Sequence, residues 1–153
     1  MVVIIHAWLK THTYMKKTVT EWASQFERRG TPSHSPNYQY QIKFAGTQEI
    51  LVQGGGEKIW ADGIRVKDGF LLECKFIIKA DRSPFIEGSQ IPDFIREKIV
   101  NRVADEFFRY AAVINDPNTP INALEVIINE SSAAPFFQKL LRRYRIPGRV
   151  VVL

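Results

Sequence analysis

The sequence predicts an α/β fold: a mixed central sheet with an antiparallel hairpin and a C-terminal parallel βαβ unit, flanked by helices. Three observations carry this expectation. Alternating and β-branched apolar runs occupy the middle of the chain. Asp68-Gly69 stands between two of them as a hairpin turn, and from Pro92 onward the apolar spacing switches between helical and strand periods. With 153 residues, 45% hydrophobic and 24% charged, the chain can bury one core and falls in the range of a single domain spanning residues 1–153.

The apolar start, residues 2–5 and 7–9, lacks a basic leader, is broken by His6 and precedes no small-residue cleavage pattern, so it reads as a strand or a docked helical turn. Thr18-Val19-Thr20-Glu21 matches a capping box, and Val19, Trp22, Ala23 and Phe26 follow at helical spacing until Gly30 and Pro32. After a Pro/Ser loop, Tyr38, Tyr40, Ile42 and Phe44 alternate with polar residues and predict a strand. Residues 49–53 predict a second strand, with Gly54-Gly55-Gly56 as a bulge or bend. Residues 58–66 and 70–78 predict the hairpin around Asp68-Gly69.

From Pro92, the stripe Ile95, Ile99, Val103, Phe107, Ala111 and Ile114 predicts a long helix ending near Asn115-Asp116-Pro117. Residues 124–128 form a β-branched run of the kind buried on both faces in parallel sheets. Residues 135–145 predict a basic amphipathic helix and residues 150–153 a closing strand. Strand, helix, strand implies a parallel crossover.

The net charge of +5 suits an anionic partner, whether nucleic acid or an acidic surface. Cys74 is the only cysteine, which excludes an intrachain disulfide and a Cys-rich zinc site and favours a reducing compartment. His6, His12 and His34 are scattered without partners at zinc-ligand spacing. No stretch approaches the roughly 20 apolar residues of a membrane span.

The constellation with chemistry in it is Glu73-Cys74-Lys75. Residues at i and i+2 of a strand share a face, so Glu73 and Lys75 point one way, and Leu72, Cys74, Phe76 and Ile78 point the other, toward the expected core. If Asp68-Gly69 is a two-residue turn, Lys67 pairs with Phe70 and Asp62 falls opposite Lys75, on the face that holds Glu73. A three-residue turn would send Asp62 to the opposite face. Two carboxylates on adjacent strands make a hard oxygen site for Mg²⁺ or Mn²⁺, which polarises a phosphodiester and activates a water, and Lys75 would stabilise charge developing on phosphorus. As a bare pattern Glu-x-Lys is common, and cross-strand Asp and Lys also form ordinary surface pairs, so the strand context carries the weight.

That context resembles the restriction-endonuclease-like, or PD-(D/E)xK, nuclease superfamily. From about Thr20 to Leu153 the chain is similar to the nuclease toxin domains of bacterial polymorphic toxins and type VI or Rhs effectors. The resemblance rests on Ala61-Asp62-Gly63, Leu72-Glu73-Cys74-Lys75, Arg109-Tyr110 and the terminal βαβ unit. It implies metal binding by Asp62 and Glu73 and a catalytic Lys75, with DNA as substrate and RNA as the alternative. It also implies a cognate immunity protein, and action in the cytoplasm of a cell reached by secretion or injection as part of a larger effector. Ala61 stands where the family pattern often has proline. Many members add an acidic residue from the first helix; Glu21 is the candidate, with Glu27 behind it, and Glu21 is equally placed to be the capping-box glutamate.

Arg102, Glu106 and Arg109, at i, i+4 and i+7, either line a phosphate-binding groove or form a solvated ladder, the commoner arrangement. Arg142 and Arg143 make the C-terminal helix basic, suiting either nucleic-acid backbone contact or plain solvation. Trp8, Trp22, Trp60, Tyr38 and Tyr40 are aromatic enough to stack bases, with core packing as the default. Two other classes of function share this surface: a nucleic-acid-binding module without catalysis, and a protein-interaction domain in which the trio forms surface pairs.

Overall fold

The structure, a computed structural model, describes residues 13–153. The predicted N-terminal element, with His6, Trp8 and His12, lies outside these residues. The first helix, α1, spans Thr13–Ser24. It begins upstream of the expected capping box because residues 13–17 contain neither glycine nor proline to stop it. Thr18 and Glu21 therefore sit inside the helix, and Glu21 does not cap it. Val19 and Ala23 are buried, and the rings of Trp22 and Phe26 meet edge to face at 4.7 Å.

A short edge strand, β1 (Arg28–Gly30), leads to the largest departure from expectation. Residues 36–45 form a helix, α2 (Pro36–Ala45), and not a strand. Ser35 is its N-cap, accepting from the Tyr38 amide at 3.4 Å, and Pro36 opens the first turn. The same spacing that looks like alternation puts Tyr40 and Phe44 four residues apart on one helical face, with ring centroids 4.8 Å apart. That face closes a small core of Tyr40, Leu72 and Ile127, with Cys74 and Phe76 at its edge.

Strands β2 (Gln48–Gly54) and β3 (Glu57–Ala61) form a tight hairpin paired from Ile50–Ala61 to Gly54–Glu57. Its two loop residues, Gly55 and Gly56, have φ of 56° and 80°, so the glycines make a hairpin turn and not the expected bulge or bend. The path then breaks at Asp62 and resumes as β4 (Gly63–Arg65). Here the chain leaves the three-stranded sheet β1-β2-β3 and enters a second, four-stranded sheet. Gly63 permits the crossing: a Cβ there would lie 2.2 Å from the carbonyl oxygen of Ala45 at the end of α2.

Strand β5 (Phe70–Lys75) pairs antiparallel with β4 and parallel with β6 (Ala123–Ile128), and β7 (Gly148–Val152) joins β6 in parallel. The helices α3 (Asp93–Asn115) and α4 (Ala134–Arg143) connect these parallel strands, giving the order β4-β5-β6-β7. The expected mixed sheet with a hairpin and a C-terminal parallel βαβ unit is thus present. All six residues of β6 are buried. Leu71, Val126, Val103, Phe107 and Phe137 belong to the main core.

One detail of the expected core is reversed. The Leu72 face of β5 meets only the small core under α2, and Ile78, beyond the strand, is 70% exposed. The larger core lies on the other face with Leu71, so Glu73 and Lys75 point toward the interior beneath α3. Among the described residues no helix is long and apolar enough to cross a membrane.

Candidate active site

The β4–β5 loop is longer than the two-residue turn expected from Asp68-Gly69. Arg65 pairs with Phe70, so residues 66–69 form the loop. The register therefore moves by two residues relative to the Lys67–Phe70 pairing. An even shift conserves the face, and Asp62 and Glu73 line the same cleft.

Asp62 sits at the break between β3 and β4. Its amide donates to the Leu72 carbonyl at 3.1 Å, and its Oδ2 accepts from the Cys74 amide at 2.7 Å. The carboxylate thus replaces a ladder partner and is locked to β5 beside Glu73. Glu73 accepts from the Tyr110 hydroxyl of α3 on one oxygen, and its other oxygen is 2.8 Å from Lys75 Nζ. Lys75 Nζ also donates to Glu106 Oε2 at 2.9 Å. One ammonium thereby bridges carboxylates from a strand and a helix.

The electrostatics are lopsided. Asp62 is 9% exposed and Glu73 6%. Burial pushes the Asp62 carboxyl well above its ordinary value, and the charge of Glu73 pushes it further. Burial also raises Glu73, helped by Glu106, although Lys75 and Tyr110 pull the other way. Burial alone would lower the Lys75 ammonium, but Glu73 and Glu106 outweigh it and hold the lysine charged. Burial, with the charges of Asp62 and Glu73, raises the Cys74 thiol, which excludes it as a ready nucleophile.

These groups line a cleft of about 750 Å³ between α2, the strands and α3. Its carboxylates are Glu27, Glu49, Asp62, Glu73, Asp105 and Glu106. Sequence reasoning missed Glu49, which is buried, ion-paired with Arg29 and accepts from Gln41 Nε2 at 2.9 Å. Its position follows from the glycine turn. The Gly55-Gly56 hairpin puts Ile50 opposite Ala61, and one step further along both strands brings Glu49 to Asp62, whose pKa it raises. Tyr110, fully buried and bonded to Glu73, is the other residue whose role depends on the packing of α3.

The remaining candidates divide. Glu106 turns to Lys75, and Arg109 pairs with Asp105, so the expected Arg102–Glu106–Arg109 ladder is not the arrangement. All three residues line the cleft. Glu21 is exposed on α1 and does not line it, whereas Glu27 does. Arg142 and Arg143 are exposed on α4 away from the cleft: Arg142 borders a separate surface hollow, and Arg143 lies over the Tyr144 ring at 5.3 Å.

Among the described residues no cluster of three or more His, Cys, Asp or Glu has the geometry to hold a metal ion by itself. The two central carboxylates fit a hard divalent cation of the Mg²⁺ type, which takes one or two carboxylates and completes its shell with water and phosphate oxygens. Such an ion would offset the burial that raises both Asp62 and Glu73 and the like charge that adds to it.

A family model described as restriction endonuclease fold toxin 2 matches residues 36–147, from the start of α2 to the turn before β7. Comparison with curated proteins returned no match.

Proposed function

The chain belongs to the restriction endonuclease fold toxin 2 family, and from that premise we propose that it is a metal-dependent endonuclease that hydrolyses phosphodiester bonds in DNA, acting as a bacterial toxin or effector domain. The observation that supports this most is the buried Asp62–Glu73 pair in the cleft lining, where Lys75 is ion-paired with Glu73 and Glu106 and not with Asp62. Buried carboxylates whose pKa values are raised and which line a cleft are the pattern that functional sites show.

Asp62 and Glu73 are the residues that would hold Mg²⁺ or Mn²⁺. When bound, the ion supplies Lewis-acid polarisation of the scissile phosphate and a water of lowered pKa. The protein's own groups do the rest. Tyr110 fixes the Glu73 carboxylate by donating to one oxygen, and the Cys74 amide fixes Asp62. Lys75, held charged by Glu73 and Glu106, is placed to orient the attacking water and to offset charge building on the phosphate oxygens. Arg102 and Arg109, on the α3 wall, are placed to take flanking phosphates.

The matched region opens with α2, a helix that carries no acidic residue. Glu21, on the helix before it, is therefore less suited to the family's helix-borne ligand than the sequence alone implied. Glu49 is the additional carboxylate beside Asp62. A toxin of this kind requires a cognate immunity protein in the producing cell, and a compact acidic protein covering the Arg102–Arg109 wall would meet that need.

Nicking of supercoiled plasmid tests the proposal. Cleavage is expected with Mg²⁺ or Mn²⁺ and abolished by EDTA and by Lys75→Ala. Binding of nucleic acid without cleavage under those conditions would instead identify a non-catalytic module, and cleavage of RNA alone would replace DNA as substrate.

A further inference from the structure

Beside the catalytic cleft runs a second groove of about 770 Å³, and the two share Tyr38, Gln41, Cys74, Lys75 and Arg102. Their charges differ sharply. The first sets six carboxylates against five cations, Arg29, Lys58, Lys75, Arg102 and Arg109, whereas the second carries four cations, Lys75, Lys79, Arg82 and Arg102, and no carboxylate in its lining. Among the described residues Lys79, Arg82 and Arg102 take part in no ion pair. Lys79 precedes the short 3-10 turn Ala80–Arg82, Arg82 ends it, and both are exposed.

Cations alone would suit any polyanion. Apolar side chains also line this groove, Ile78, 70% exposed, and the half-buried Phe85, and Tyr38 lines both grooves. A duplex keeps its base faces stacked inside and offers a protein phosphates and polar groove edges. An exposed isoleucine and a half-buried tyrosine are useful to bases that are unpaired.

We propose that this second groove binds a single-stranded segment of the nucleic-acid substrate on one side of the scissile phosphate, with Lys79, Arg82 and Arg102 on the backbone and Tyr38 stacking a base. The inference rests on the nucleic-acid substrate proposed above and deepens it: the substrate class is single-stranded or frayed polynucleotide, not intact duplex. Continuity with Lys75 sets the direction. The strand runs from the cationic groove, across Lys75, to the carboxylates.

Binding and cleavage are measured separately so that the two readings can fail independently. Fluorescence anisotropy of the full chain in EDTA compares labelled single-stranded DNA, single-stranded RNA and a blunt duplex of equal length. Single strands of at least one kind are expected to bind about tenfold or more tighter than duplex. The Lys79→Ala/Arg82→Ala double variant, which touches only exposed side chains, is expected to weaken single-strand binding about tenfold. It should also lower the slope of log K against log salt by about 0.7 for each phosphate that is no longer neutralised. Tyr38→Ala is expected to weaken single-strand binding by about fivefold or more with no change in that slope. Equal affinity for duplex and single strands, or an unchanged affinity and slope in the double variant, would overturn the proposal. In that case metal-dependent cleavage by the same preparations would leave the nuclease reading standing. Groove binding without any cleavage would sink the nuclease reading and keep the groove.

Discussion

Two buried glutamates stand on neighbouring strands of one sheet and face opposite ways. Glu73 on β5 pairs across with Val126, while Glu125 on β6 pairs with Leu72 and so lies on the α2 side. Both are almost inaccessible, at 6% and 3% exposure. Glu125 is gripped by two guanidinium groups: Arg65 at 2.6 and 3.3 Å, itself held by Asp68, and Arg149 at 2.7 Å. These partners more than offset the cost of burial and hold its pKa below the ordinary carboxylate value. Glu73 shares one lysine with Glu106 and faces Asp62, and its pKa is raised. Burial is common to both sites. What separates them is charge balance: the Glu125 cluster closes its charge within the protein, and the Glu73 cluster leaves a surplus for something else to neutralise.

The largest effect expected from this contrast is on catalysis. Lys75→Ala should lower plasmid cleavage about a thousandfold, the scale of removing one preorganised group that stabilises transition-state charge. Its melting temperature should fall too, since the variant leaves Glu73 and Glu106 facing each other uncompensated. Glu125→Ala should affect stability alone. It should spare the chemistry per folded molecule but destabilise the fold by about 2–3 kcal/mol, toward the low end for a broken buried pair because Arg149 is largely solvated. Thermal unfolding should register a drop of roughly 4–12 °C at this chain length.

How much of this was legible in the sequence differs by element. The parallel unit was readable because α3 and β6 have long, unambiguous apolar patterns and no competing turn chemistry. The trio Asp62, Glu73 and Lys75 could be placed on one face because period two tolerates an even error: the loop proved two residues longer than assumed and the faces were unchanged. Residues 38–44 misled because alternating aromatics satisfy both a strand and an i, i+4 helix, and Ser35-Pro36, the helix start, reads equally as part of a Pro/Ser loop. Glu49 was missed for a linked reason. Reading the three glycines as a bend left β2 without a register, and only that register carries Glu49 to Asp62. Tyr110 and the turn of Glu106 toward Lys75 depend on how α3 crosses the sheet, which no local pattern encodes.

A smaller effect would sharpen the contrast at the positioning groups. Tyr110→Phe removes the donor to Glu73 without changing ring packing. Binding of Mn²⁺, followed by calorimetric titration, should weaken by about tenfold, in line with the loss of a group that orients a metal ligand. Stability should fall by only about 1 kcal/mol. A purely structural tyrosine would show the stability loss with metal affinity unchanged.

The pH dependence of metal-free stability should carry opposite signs at the two sites. Asp62 and Glu73 have raised folded-state pKa values, so their contribution is fully present below the unfolded carboxylate range and is lost as pH rises through the raised values. Glu125 has a lowered value, so its contribution is present above the unfolded range and is lost as pH falls through the folded value. Melting temperatures of Glu125→Gln and Asp62→Asn across the acid-to-neutral range should therefore diverge from the parent protein in opposite directions.

The most direct measurement is the melting temperature of Asp62→Asn at neutral pH, in EDTA and again with Mn²⁺. The substitution keeps an acceptor for the Cys74 amide and removes the surplus charge. In EDTA the variant should melt roughly 2–4 °C above the parent, equivalent to about 1 kcal/mol. Mn²⁺ should raise the melting temperature of the parent and leave that of the variant unchanged. A variant that melts lower than the parent in EDTA and still gains stability from Mn²⁺ would contradict the claim that the Asp62–Glu73 surplus is the metal site.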